Sequence, residues 1–246
     1  MSGLQTFQSG KDFAKVDYHM HTVFSDGDNK VAKYVKKASE LNLDEIAITD
    51  HVWRSSDWVD EYVDAIDEIR EEYNMTVHAG LEAKVIDRDG RVDVSDEDAE
   101  KVDFVMGVVH RYRPEAEEPY DDSVNFKPEE AAGEERDLIL GMLENTKVDL
   151  IGHPSRTYYK FHYDKETPHF PEEYVEDMIE SAKNAGKPLE YNARLPKYIR
   201  EKLLEMYIER DLGFTIGSDS HNIERLENLS HSHVKTKLNE KGGLSQ

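Results

Sequence analysis

Two imidazoles stand two residues apart in Asp17-Tyr18-His19-Met20-His21, at the end of an apolar run. A strand projects residues i and i+2 to one side, so His19 and His21 can hold one metal ion together. Near the other end of the chain, Asp219-Ser220-His221 repeats that geometry after Gly213-Phe214-Thr215-Ile216-Gly217-Ser218. A chain that carries such a pair near each end is expected to be built around a polynuclear metal site. It contains no cysteine, which excludes disulfides and thiolate chemistry and leaves only N and O ligands.

Such pairs need a frame. Seven short apolar runs read as strands: Lys15–His19, Glu45–Thr49, Met75–Glu82, Phe104–Val109, Asp149–Gly152, Pro188–Asn192 and Phe214–Ser218. Between them, helical spacing covers Lys30–Leu41, Trp58–Tyr73, Glu129–Asn145, Pro171–Ala185 and Pro196–Arg210. Ser95 before an acidic turn and Pro171-Glu172-Glu173 mark helix starts, while Gly186 and Pro188 mark a helix stop. Asp87–Arg91 reads as a turn. Strands alternating with helices of this length predict βα units with parallel pairing. Two stretches, Arg111–Pro128 and Ser155–Phe170, read as long loops of the kind that become lids or binding loops.

The candidate ligands fall at or just beyond the C-terminal ends of these strands. His19, His21 and Asp26 follow the first, and Asp50 and His51 the second. Glu82 ends the third, His110 the fourth and His153 the fifth. Glu190 and Asn192 end the sixth, with Asp219 and His221 at the seventh. In a closed parallel barrel all of these meet on one rim, where such barrels place their chemistry. A lone His at a strand end is more often a structural residue than a ligand. Six of the eleven His in the pattern, with carboxylates among them, outweigh that reading. His78 lies one pleat deeper and reads as core; His231 and His233 read as part of a short, polar, solvated tail.

Length and charge bound the class. A chain of 246 residues fits one large barrel domain. The net charge of −22 argues against extended nucleic acid, which needs a basic stripe, and against anionic lipid. No secretory signal or membrane-length apolar run is visible, so a cytoplasmic protein is expected. Its oligomeric state is not legible.

The blocks His19-Met-His21, Ser25-Asp26-Gly27, Ile48-Thr49-Asp50-His51, Gly80-Leu-Glu82, Gly107-Val-Val-His110, Gly152-His153-Pro154 and Gly217-Ser-Asp219-Ser-His221 together resemble the polymerase and histidinol phosphatase (PHP) domain. They run in that family's order over residues from about 15 to 225. The resemblance implies a distorted, TIM-like (β/α)7 barrel, in agreement with the seven strands read independently. It also implies three divalent ions, of Mn, Zn or Fe. The first would be held by His19, His21, Glu82 and Asp219. Glu82 would bridge to a second, completed by His110 and His153. Asp26, His51 and His221 would take a third, with Asp50 orienting a neighbouring ligand.

The implied chemistry is hydrolysis of a phosphate ester by a metal-bridging hydroxide, with Glu82, Asp219 and His221 as catalytic residues. Either a metal-bound water or Asp219 would protonate the leaving alkoxide. Three ions against three carboxylates leave the site at about +3, which suits a phosphoryl group. Arg156 and Arg194 are the leading phosphate-binding candidates, with Arg111 and Arg54 behind them. A small phosphomonoester is expected, histidinol phosphate first. Glu190 and the acidic run Glu115–Asp122 could meet its cationic groups, and Tyr158, Tyr159 and Phe161 could pack on its imidazole. The alternative substrate is a nucleotide or oligonucleotide end. More distant rivals are a non-catalytic metal-binding barrel and an amidohydrolase-type enzyme, which would need a bridging Lys; Lys84 is the nearby candidate.

Overall fold

The computed structural model describes residues 4–8, 13–70, 72–112, 126–162, 169–229 and 231–243. Seven parallel strands lie in sequence order in one sheet: β1 (Val16–Asp17), β2 (Glu45–Val52), β3 (Thr76–Lys84), β4 (Phe104–Val108), β5 (Leu150–Ile151), β6 (Leu189–Asn192) and β7 (Phe214–Gly217). Tyr18 N donates to Ile216 O across 2.9 Å, and Met20 bridges Ser220 in parallel, so β7 meets β1 and the sheet curls into a nearly closed barrel. All seven predicted strands exist. β1 and β5 shrink to two residues each.

The helices are α1 (Val31–Glu40), α2 (Val59–Arg70), α3 (Asp96–Lys101), α4 (Pro128–Glu144), α5 (Arg156–His162), α6 (Glu172–Ala185), α7 (Lys197–Glu209) and α8 (His231–Gly243). Their boundaries follow local chemistry. The Ser95 hydroxyl accepts from Asp98 N at the start of α3, an ordinary N-cap. Gly186 ends α6 at φ 67°, the left-handed conformation glycine adopts without penalty. The helices press Val31, Val35, Ile66, Leu138, Met178 and Leu204 against the outside of the barrel, all within 3 % exposure. At roughly 1.5–3 kcal/mol per buried large side chain, this layer is the main source of stability.

Two expectations need correction. Ser155–Phe170 is not an extended loop, since Arg156–His162 forms α5. Tyr158 and Tyr159 point from it into the core, at 1 % and 8 % exposure, so neither is placed to stack on a substrate. Nor are the last residues a solvated tail. Val234 and Leu238 of α8 are buried, the His231 ring meets Val16 O at 2.8 Å, and His233 pairs with Glu201. An amphipathic helix with only two large apolar residues reads as polar by composition. His78 is packed as expected, 3.3 Å from Glu45 and edge-on to Tyr18. Most of Arg111–Pro128, including Glu115–Asp122, lies outside the described residues. Among the described residues no helix is long and apolar enough to cross a membrane.

Candidate metal centre

Glu82 sits near the end of β3, 2 % exposed, and the barrel turns five imidazoles toward it. The β2–β3 register sets His51 beside it, with His51 Nδ1 in direct contact with Oε2. Nε2 atoms of His19, His21 and His110 each lie 3.5 Å from a Glu82 oxygen, and that of His153 lies 3.0 Å away. His19 and His21 meet each other at 3.1 Å through their Nε2 atoms. A second focus surrounds Asp26, whose carboxylate is 3.2 Å from His221 Nε2, 3.6 Å from His51 Nε2 and 3.9 Å from His21 Nδ1.

Three donor groups emerge: His19, His21 and Glu82; His51, Glu82 and His110; and His21, Asp26, His51 and His221. Donors about 2.0–2.2 Å from a common ion lie roughly 3–3.5 Å from one another, and the spacings above are of that size. The imidazoles divide. Burial holds His153 down to about 4 and His21 well below the ordinary imidazole range, so both are neutral, the form that ligates metal. Burial lowers His19 and His51 too, but the neighbouring carboxylates outweigh it and raise both, His51 to about 10. His21 Nδ1 is buried without a hydrogen-bond partner, and Asp219 Oδ2 has no hydrogen bond beyond its ion pair with Arg156 at 3.5 Å. Orphaned buried donors and acceptors are costly in protein, and a cation supplies what they lack. The residues present fit divalent metal.

The grouping differs from the expected one: His51 takes the place of His153 beside Glu82 and His110, His21 joins the Asp26 group, and Asp219 falls outside the first. His51 touches Glu82 as well as Asp26, so it stands between the second and third groups. Asp219 is drawn instead into ion pairs, with Arg194 Nη1 at 3.0 Å and Arg156 Nε at 3.5 Å, and stands 3.7 Å from His21. Burial raises its carboxyl, but His19, Arg156 and His153 lower it further and keep it ionised.

The surrounding residues fix the ligands. Glu190, expected to meet substrate, is 1 % exposed and occupied: Oε1 bonds His19 Nδ1 at 2.8 Å, and Oε2 accepts from His153 N and Asn192 Nδ2. Buried and already accepting three hydrogen bonds, it is placed to position two candidate ligands and is not presented to a substrate amine. Gly217 makes this possible, since a Cβ there would lie 1.8 Å from Glu190 Oε1. Asp50 touches no imidazole. It accepts from Thr22 N, Thr22 Oγ1, Ser25 N and Ser25 Oγ, between 2.6 and 3.2 Å, and so ties down the turn that carries Asp26. Asp50→Ala is expected to weaken the Asp26 group by ~10–100-fold, as loss of supporting contacts does elsewhere. Chelator competition on the purified protein would show one class of bound metal released early; an unaltered release profile would exclude this role.

His153 at φ 32°, Ser155 at φ 69° and Asp219 at φ 52° all adopt left-handed backbone. For such residues this costs about 1–3 kcal/mol each and persists where surroundings over-determine it. Lys84, the candidate bridging residue of an amidohydrolase-type site, is paired with Asp93 at 3.3 Å. A cavity of about 510 Å³ opens onto the centre, lined by Phe24, Asp26, His51, Trp53, Lys84 and Arg111 among others. Sequence reasoning missed Asp17, although it shares the face of His19 by the same i, i+2 rule. Its Oδ1 accepts from the backbone N–H of both His19 and Ser218, joining the two ends of the barrel.

A probable phosphatase of Caldicellulosiruptor bescii is 27 % identical over 219 residues, covering 85 % of this chain and 80 % of its own. The DNA polymerase/3'-5' exonuclease PolX of Bacillus subtilis is 25 % identical over 230 residues, covering 87 % of this chain but 35 % of the polymerase. The crystal structure of histidinol phosphate phosphatase from Lactococcus lactis, complexed with zinc, L-histidinol and phosphate, superposes with a TM-score of 0.72 at 24 % identity over 94 % of this chain and 95 % of that one. The putative histidinol phosphatase of Listeria monocytogenes gives 0.69 at 22 % identity, covering 89 % and 99 %. The PHP domain profile matches residues 17–194. The chain belongs to the PHP domain family and is a metal-dependent phosphoesterase.

Proposed function

We propose that the protein hydrolyses a small phosphomonoester, with histidinol phosphate as the first substrate to test, at a site for three divalent ions. The observation that carries this reading is one buried carboxylate, Glu82, ringed by five imidazoles, with two guanidiniums at its margin. His19, His21 and Glu82 would hold the first ion, with Asp219 able to join them. Glu82, His110 and His153 would hold the second, and Asp26, His51 and His221 the third. Bound there, divalent ions supply charge neutralisation for the phosphate and lower the pKa of water from about 15.7 toward ~7.

The chain's own residues do the rest. Arg156 and Arg194 now rest on Asp219, and their forked donors suit the oxygens of a phosphoryl group. Asp219 is kept ionised, so it would first take a proton from the attacking water and only then could give that proton to the leaving oxygen. The 510 Å³ cavity is of a size that suits small ligands, and Trp53 and Phe24 give its wall an aromatic face for the leaving group. Likeness to two histidinol phosphatases supports the choice of substrate. The PolX relative supports a second reading, an oligonucleotide end, which the net charge of −22 disfavours.

A panel of histidinol phosphate, nucleoside monophosphates, short oligonucleotides and a chromogenic ester, each with Mn, Zn and Fe, separates the readings. Preference for the oligonucleotides would reverse the ranking. Arg194→Ala is expected to keep its metal and lose ~10–100-fold in kcat/KM, the usual size for a lost charge-assisted hydrogen bond. Unchanged kinetics would remove Arg194 from the site.

A further inference from the structure

α4 carries an acid where its apolar stripe needs none. Ala131, Leu138 and Met142 form the buried face, and Glu135 lies among them at 1 % exposure. A buried carboxyl is costly unless it is well satisfied. Its hydrogen bonds go to another helix's backbone: Oε1 accepts from Thr157 N at 3.3 Å and Oε2 from Tyr158 N at 2.7 Å. These are the first-turn N–H groups of α5, which have no partner inside their own helix.

α5 has reason to need this support. It is only seven residues long, too short to be stable by itself. It also follows a turn with two left-handed residues, His153 and Ser155. A second tie runs the other way, from the Thr157 hydroxyl to Val109 O, next to His110. Immediately before these two anchors stands the first residue of α5, Arg156, whose Nε lies 3.5 Å from Asp219 Oδ2.

We infer that Glu135, together with the Thr157 hydroxyl, is the device that aims Arg156 into the site, which makes Glu135 a positioning residue for phosphate recognition. The inference rests on the reading of Arg156 as a phosphate ligand. Misplacing a binding group by about 1 Å can cost up to ~100-fold in rate, so a tether remote from the chemistry has a measurable effect. Glu135 itself touches neither a metal ligand's side chain nor the cavity.

Glu135→Gln keeps the size but turns an NH₂ toward one of the two N–H groups. Its kcat/KM for p-nitrophenyl phosphate is expected to fall about tenfold, and the Ki of inorganic phosphate to rise by the same factor, with metal content unchanged. In an Arg156→Ala background the same change is expected to add less than about twofold, because residues acting through one group are non-additive. Equal losses in both backgrounds overturn the inference and leave Arg156 in place. An Arg156→Ala variant whose phosphate Ki is unchanged overturns the reading of Arg156 instead. Should Glu135→Gln fail to fold, Thr157→Val cuts the other anchor. It is expected to lose about threefold in the wild-type background and nothing further with Arg156→Ala. Equal losses there overturn the inference as well.

Discussion

Glu82→Ala is expected to lose bound metal and phosphomonoesterase activity together. No other carboxylate faces so many of the ligands, with His19, His21, His51, His110 and His153 all within 3.5 Å of its two oxygens. Its removal leaves the imidazoles with no carboxylate at their centre, since Asp26, Asp219 and Glu190 stand at the edges of the cluster, and two donor groups lose the anion they share. Supporting residues around metal ligands are worth ~10–100-fold in affinity, and a carboxylate shared between two donor groups is worth more. Metal analysis after gel filtration, beside kcat/KM for a chromogenic ester, reads both losses. A variant that keeps two or more ions per chain, or turns over normally, would falsify the role of Glu82 as the shared ligand. Glu82→Gln separates charge from shape. It retains an acceptor oxygen but no charge, and is expected to resemble Glu82→Ala in metal content while keeping more of its thermal stability.

How much of this was legible follows from where each signal lives. The ligands themselves were readable, because strand-end His, Asp and Glu are out of place in apolar runs, and seven such ends can meet only on a barrel rim. The register between β2 and β3 that sets His51 against Glu82 was not, since pairing is a property of two segments. Hence His51 was assigned to one group where it touches two. Glu190 was seen but misjudged. Its strand position places it on the rim, while its burial depends on the absence of a side chain at Gly217, 27 residues later in the chain. Glu135 left a faint trace, as one acid on an otherwise apolar helical stripe, and its partners could not be named before α5 was known to be a helix. The aromatic residues of α5 misled for a related reason: composition gave them to a loop, and the helix turned them inward.

Glu190→Ala is the second change expected to have a large effect, and it acts without touching the metal. Glu190 Oε1 bonds His19 Nδ1 at 2.8 Å. That contact places the ring proton on Nδ1 and leaves the Nε2 lone pair facing Glu82, so one bond sets both tautomer and orientation. Oε2 holds the backbone N–H of His153, a residue whose φ of 32° is itself strained. Removing the carboxylate leaves these buried donors without partners, at ~2–4 kcal/mol in total by the usual cost of orphaned groups. Metal affinity is expected to fall by ~10–100-fold as well. The two effects can be parted by urea unfolding of the chelated protein, where only the first remains. Gly217→Ala should reproduce the metal loss, because its Cβ would lie 1.8 Å from Glu190 Oε1 and 2.6 Å from His19 Cβ and must push one of them aside. Normal metal affinity in Gly217→Ala together with loss in Glu190→Ala would mean that the carboxylate can hold His19 from more than one position. Loss in both would fix the geometry of the Glu190–His19 pair as the condition for binding at the first site.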